Sequence, residues 1–109
     1  MKRIFLMTLL LAFAAVSIVY AETQEKSKIE AGNFDSAMLG ENWKYRIYLP
    51  KSYSTDKEKN YPILYLLHGH GGNSLDWQSK GKIKETLDDL TEKGKIPEVI
   101  CVLINGKNT

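Results

Sequence analysis

The sequence predicts an α/β fold built on a mostly parallel sheet, and three observations predict it. Two short apolar runs, Ile63-Leu64-Tyr65-Leu66-Leu67 and Val99 to Ile104, lack alternation, as strands covered on both faces do. Between them Ile83, Leu87 and Leu90 fall at intervals of four and three, the spacing of an amphipathic helix. Ahead of both runs lies a strictly alternating segment preceded by a turn, the pattern of a hairpin strand. Strand, helix, strand in that order implies a parallel crossover.

The first 21 residues stand apart. Lys2 and Arg3 precede an apolar stretch from Ile4 to Val19, broken only by Thr8 and Ser17 and closed by Val19-Tyr20-Ala21. A basic start, an apolar middle and small residues before a polar run describe an export signal, so residues 1–21 are expected to be a signal peptide and the product secreted or periplasmic. An uncleaved anchor is the rival reading of the same stretch. The whole chain has 15 basic and 13 acidic side chains, and removing Lys2 and Arg3 leaves equal numbers. Nucleic acid is therefore not an expected partner, nor is stable membrane anchoring expected after cleavage. Cys101 is the only cysteine, which rules out a disulfide within the chain and fits a small buried hydrophobe.

Residues 22–33 are charged and without period, which predicts a flexible leader; residues 34–109 form the expected domain. Residues 34–39 are read as a strand and Gly40-Glu41-Asn42 as a turn. Next, Trp43, Tyr45, Ile47 and Leu49 share one face while Lys44, Arg46 and Tyr48 share the other, a half-buried strand ended by Pro50. Lys51 to Asn60 is a polar surface connection, and Pro62 introduces the first apolar run. The helix carrying Ile83, Leu87 and Leu90 turns Lys82, Lys84, Glu85, Asp88, Asp89 and Glu92 to solvent, with Gly94 as its C-terminal cap. Asn105-Gly106 closes the last strand.

The chemistry sits in His68-Gly69-His70-Gly71-Gly72-Asn73, a glycine-rich loop after a buried strand and before a helix, where open α/β sheets bind ligands. A phosphate-binding loop would need a lysine followed by Ser or Thr, and Gly69 to Leu75 holds no lysine. A dinucleotide fingerprint wants glycine where Ser74 stands. His68 and His70 resemble the start of the zinc motif of metallo-β-lactamase-like proteins, but Gly72 and Asn73 replace its aspartate and next histidine, and two imidazoles fall short of the three protein ligands of a catalytic zinc. Acyl transfer asks for backbone N–H groups aimed at a developing oxyanion, which glycines permit by letting the chain turn its amides inward. In α/β-hydrolases such a donor comes from a histidine- and glycine-rich loop after the third strand.

Tyr61-Pro62-Ile63-Leu64-Tyr65-Leu66-Leu67-His68-Gly69-His70-Gly71-Gly72, with Asp76-Trp77 following, resembles the opening of the Putative esterase family of α/β-hydrolases, relatives of esterase D, feruloyl esterases and mycolyltransferases. Tyr45 to Tyr53 resembles that family's second strand and turn, and Lys95 to Ile100 its entry to the fourth strand, so the likeness spans residues 34–105. Where relatives often close the fourth strand with proline and aspartate or asparagine, this chain has Ile104-Asn105-Gly106. The resemblance implies the N-terminal part of an α/β-hydrolase domain, with the third and fourth strands central in the complete sheet. It implies a serine carboxylic-ester hydrolase without cofactor or metal, acting on a small-molecule or polysaccharide-linked ester. Carried onto this chain, it implies the backbone N–H groups of His70 and Gly71 as oxyanion donors, and His68, Gly69 and Gly72 as loop support. Trp77 is read as a packing anchor at the start of the helix, with a wall of the substrate cleft as the alternative.

The nucleophile elbow G-x-S-x-G, and the acid and histidine that follow it, are missing from these 109 residues. Ser27, Ser36, Ser52, Ser54, Ser74 and Ser79 lack the flanking glycines, and both histidines precede the place where the serine belongs. The chain alone is therefore expected to be an inactive fragment of a secreted esterase. The alternatives are a small exported ligand-binding domain without turnover and a non-functional truncation product.

Overall fold

A computed structural model of the chain describes residues 25–106; the signal-peptide reading of residues 1–21 lies outside the described residues. Strands β1 (Lys28–Ser36) and β2 (Glu41–Leu49) are followed by a 3-10 turn, Lys51–Tyr53, and then by β3 (Ile63–Leu67). A short helix α1 (Asp76–Ser79), a longer helix α2 (Ile83–Glu92) and β4 (Ile100–Ile104) complete the order. The four strands form one sheet in the order β1-β2-β4-β3. β1 and β2 are an antiparallel hairpin, β2 and β4 are antiparallel, and β3 and β4 are parallel. The α/β class and the parallel crossover of the sequence reading are thus both present. Among the described residues β4 lies inside the sheet and β3 at its edge.

The hairpin begins earlier than the sequence suggests. The leader read over residues 22–33 and the strand read over 34–39 give way to a β1 that starts at Lys28 and ends at Ser36. Nine ladder pairs, from Lys28↔Leu49 to Ser36↔Glu41, hold it, and ladder hydrogen bonds need no apolar side chain. An edge strand tolerates charge, and Lys28 pairs with Glu30 at 2.7 Å in the open. The turn closes with the Gly40 amide on the Ser36 carbonyl at 2.8 Å, Gly40 taking a φ of +65°.

The main core cluster lies on one face, and Leu49, at the end of β2, is the buried apolar side chain of the other. Tyr48, Ile83, Leu87, Cys101 and Leu103 form a buried cluster, and Leu66, Ile96 and Val99 pack against it. The register explains it: Arg46 pairs with Leu103 and Tyr48 with Cys101, while Leu64 and Leu66 pair with Cys101 and Leu103 from the other side. These residues share the face that α2 covers with Ile83 and Leu87. Hence Tyr48, on the more polar side of the alternation, is buried at 2% exposure, while Trp43, Tyr45 and Ile47 stay half-exposed. The Tyr48 hydroxyl escapes a desolvation penalty by donating to Asp88 Oδ1 at 2.8 Å. Burial, reinforced by the Asp88 carboxylate, raises the phenol far above its ordinary range. Burial alone pushes the Cys101 thiol up to about 11, which keeps it protonated and inert at neutral pH.

Helix α2 ends as its sequence announces. Gly94 takes a φ of +66°, its amide donates to the Thr91 carbonyl at 3.0 Å, and the Lys95 amide reaches back to Leu90 at 2.9 Å. On the far face of the sheet, Ile63, Tyr65 and Leu67 are exposed by 54%, 61% and 67%. No described element covers them.

Candidate active site loop

The parallel strands β3 and β4 end side by side, and the glycine loop leaves β3 at that end. The Gly72 amide donates to the Gly69 carbonyl at 3.0 Å, closing a four-residue turn over Gly69-His70-Gly71-Gly72. Gly71, third in the turn, has a φ of +75°, as a type II turn demands and a side chain resists. The turn thus consumes the Gly72 amide. Its closing bond does not involve the amides of His70 and Gly71, the two donors implied by the sequence.

The loop is tied from three directions. His68 places Nδ1 2.8 Å from the Gly69 carbonyl oxygen and Nε2 2.8 Å from that of Gly106, so its ring bridges the ends of β3 and β4. A neutral imidazole carries one N–H and can donate to only one of them at a time. Both nitrogens therefore face backbone oxygens, away from any shared site with the exposed His70. Asp76 accepts from the Asn73 amide at 3.3 Å, while Asn73 Oδ1 accepts from the Leu75 amide at 2.8 Å in an Asx turn. The Asp76 carboxylate also fills the space where a Cβ on Gly72 would stand, so a side chain there would displace it. From β4, Asn105 Oδ1 accepts from the Ser74 amide at 3.2 Å.

Trp77 anchors the helix that follows. Its indole N–H donates to the carbonyl of Leu67, the last residue of β3, at 2.9 Å, and its ring and backbone pack on Gly81. Arg46 on β2 reaches Gln78 Oε1 at 3.4 Å, so α1 is held to the sheet from two strands. Asp76 and Asn105 carry bracing roles that the sequence reading did not give them. The spacing Asn73-x-x-Asp76 was the available signal for the first; the second depends on β4 lying beside β3 and had no local signature.

Other polar clusters lie at the opposite end of the sheet. A cleft of about 400 Å³ there includes Tyr48, Lys84, Asp88 and Glu98. Burial pushes the Asp88 carboxyl up, but hydrogen bonds from Lys84, Ser27 and Tyr48 outweigh it and leave the group below its ordinary range. These are the interactions of a structural brace. Among the described residues no group of three His, Cys, Asp or Glu side chains could hold a metal ion.

Residues 36–109 match the family described as "Putative esterase". The chain belongs to that family. This esterase-family chain is 33% identical over 90 residues to an endo-1,4-beta-xylanase/feruloyl esterase of Xylanibacter ruminicola, an alignment covering 80% of the chain and 12% of the relative. Its fold matches a ferulic acid esterase of solved structure with a TM-score of 0.74 and 35% identity, covering 78% of the chain and 32% of that protein. A ferulic acid esterase from Anaeromyces mucronatus, solved in complex with ferulic acid, matches with a TM-score of 0.66 and 25% identity over 77% of the chain and 30% of that protein. The chain thus spans about a third or less of each of these relatives.

Proposed function

We propose that this chain is the N-terminal part of a secreted serine esterase that cleaves hydroxycinnamate esters of plant polysaccharides, and that its glycine loop supplies the oxyanion donor. The observation that carries this reading is the turn at Gly69–Gly72, whose closing bond takes the Gly72 amide and not that of His70. In this reading the His70 N–H, in the peptide that joins it to Gly69, stabilises the tetrahedral intermediate, and the positive φ of Gly71 lets the turn close back onto that peptide. The Gly69 carbonyl of that peptide accepts from the Gly72 amide and lies 2.8 Å from His68 Nδ1, so the peptide dipole needs no reorganisation as charge develops. Trp77 forms the floor under the loop and offers its open edge to the cleft. The nucleophile, acid and catalytic histidine come from polypeptide outside these 109 residues, and the chain by itself has no turnover.

Two measurements test it. The reading frame that continues this chain is expected to contain G-x-S-x-G followed by an acid and a histidine. The purified 109 residues are expected to leave methyl ferulate intact, whereas the whole polypeptide hydrolyses it and loses that activity to a serine-directed phosphonate. Phosphonate-sensitive turnover by the 109 residues alone would refute the division of labour.

A further inference from the structure

We infer that the connection between β2 and β3 forms a second binding surface, remote from the glycine loop, for an uncharged pyranose chain, the polysaccharide that bears the ester in the reading above. The inference rests on that reading for its choice of sugar, and on the following geometry for its place.

The connection is rigid. The Tyr53 amide donates to the Pro50 carbonyl at 3.0 Å, and those of Thr55 and Asp56 donate to the Ser52 carbonyl at 3.2 and 2.9 Å. Glu98, just ahead of β4, accepts from the Ser52 amide at 3.2 Å, from Ser52 Oγ at 2.5 Å and from the Lys59 ammonium. Tyr61 closes the network with its hydroxyl 2.7 Å from Ser52 Oγ. That network fixes the chain without employing the Tyr53 ring. The ring is left 41% exposed, 6.0 Å from the Tyr61 ring and inclined to it by 47°.

The two tyrosines line a cleft of about 340 Å³, whose other walls include Asp56, Lys57, Lys59 and Asn60. The size is that of a small-ligand site, and the mixture of aromatic and polar side chains is of the kind such sites use. A pyranose ring offers an apolar C–H face to stack on a tyrosine and a rim of hydroxyls for Asn60 and Lys57. Charge decides the class of sugar. Lys57 has Asp56 in the same wall, and Lys59 is paired with Glu98, so the surface has no unbalanced cation to favour a polyanion. The Lys57 and Lys59 ammonium groups lie over one face of the Tyr53 and Tyr61 rings, 6.0 and 5.4 Å from their centroids, so a sugar would stack on the opposite face of Tyr53.

The place is distinct from the reacting end. Tyr61 precedes β3 and the glycine loop follows it, so the five residues of the strand separate them by roughly 16 Å at about 3.3 Å per residue. A chain held at one end of the sheet would keep its esters near the other.

The test is retardation of the whole polypeptide in gels containing soluble arabinoxylan, with xylohexaose titrated by calorimetry. Tyr53→Ala is expected to weaken binding at least five-fold and Tyr53→Trp to preserve it within two-fold, while methyl ferulate turnover and the unfolding midpoint stay equal in all three proteins. No retardation of the wild type, equal retardation of all three, or stronger retardation by polygalacturonate than by arabinoxylan overturns the inference. Retardation without any methyl ferulate turnover leaves the surface standing and sinks the esterase reading instead.

Discussion

His68 Nε2 lies 2.8 Å from the carbonyl oxygen of Gly106, a side-chain bridge between the ends of two parallel strands whose backbone ladder stops at Leu67 and Ile104. The bridge is one of the ties that hold the glycine loop at the end of β4, beside the bond from the Ser74 amide to Asn105 Oδ1. Its removal by His68→Ala takes away one hydrogen bond and is expected to cost about 0.5–1.5 kcal/mol of stability. Thermal or urea unfolding of the whole polypeptide checks this, and an unchanged midpoint would show the bridge to be dispensable.

The loop's glycines are expected to separate cleanly under substitution. A Cβ at Gly69 or at Gly71 meets nothing within 4 Å, so crowding cannot distinguish them, but only Gly71 has a positive φ. Gly69→Ala should stay within about 0.5 kcal/mol of the wild type. Gly71→Ala should lose about 1–2 kcal/mol through left-handed strain. In the whole polypeptide the same change should lower kcat by about 10²–10³ if the turn that Gly71 permits aims the oxyanion donor, with KM little altered. Equal kcat for the two variants would remove the loop from the chemistry.

Acid should weaken the fold through Glu98. Burial raises its carboxyl pKa, yet hydrogen bonds from Lys59 and Ser52 outweigh that and bring it below the ordinary range. A depressed folded pKa means that the unfolded chain binds more protons in the window between the two values, so stability rises with pH there. The contribution is complete above the ordinary glutamate pKa of about 4.3 and disappears as pH falls through the folded value. Glu98→Gln should therefore be less stable than wild type at pH 7, with the two curves converging below about pH 4. A residual slope in the variant is expected from Asp88, which is depressed by Lys84, Ser27 and Tyr48. Parallel curves from pH 7 to pH 3 would contradict this account.

The parts of this fold that the sequence foretold are those whose signal is local. Ile63–Leu67 and Ile100–Ile104 stand out as uninterrupted apolar runs, α2 by its spacing and Gly94, and the loop by its glycines. What it concealed depends on partners distant along the chain. Residues 28–33 become strand because β2 offers them a ladder, and Tyr48 enters the core because α2 chooses its side of the sheet. Asn105 braces Ser74 across 31 positions, a relation no window of residues could disclose. For the loop, the turn could be read from its glycines, but the commitment of the Gly72 amide to closing it could not.

The uncovered face of the sheet governs how the isolated 109 residues should behave. Ile63, Tyr65 and Leu67 alternate outward along β3, which is also an unpaired edge among the described strands, so apolar side chains and open backbone groups coincide. Such an edge is a template for association with another chain. The buried core on the opposite face comprises few large side chains and offers little stability to resist it. The purified chain is therefore expected to bind a hydrophobic dye in its folded state and to sediment with an apparent mass that rises with concentration. Tyr65→Lys should reduce both effects without disturbing the core, because that side chain points away from Leu103 and Cys101. The whole polypeptide should bind far less dye at equal concentration. If it binds as much as the fragment, then the remainder of the protein does not cover this face.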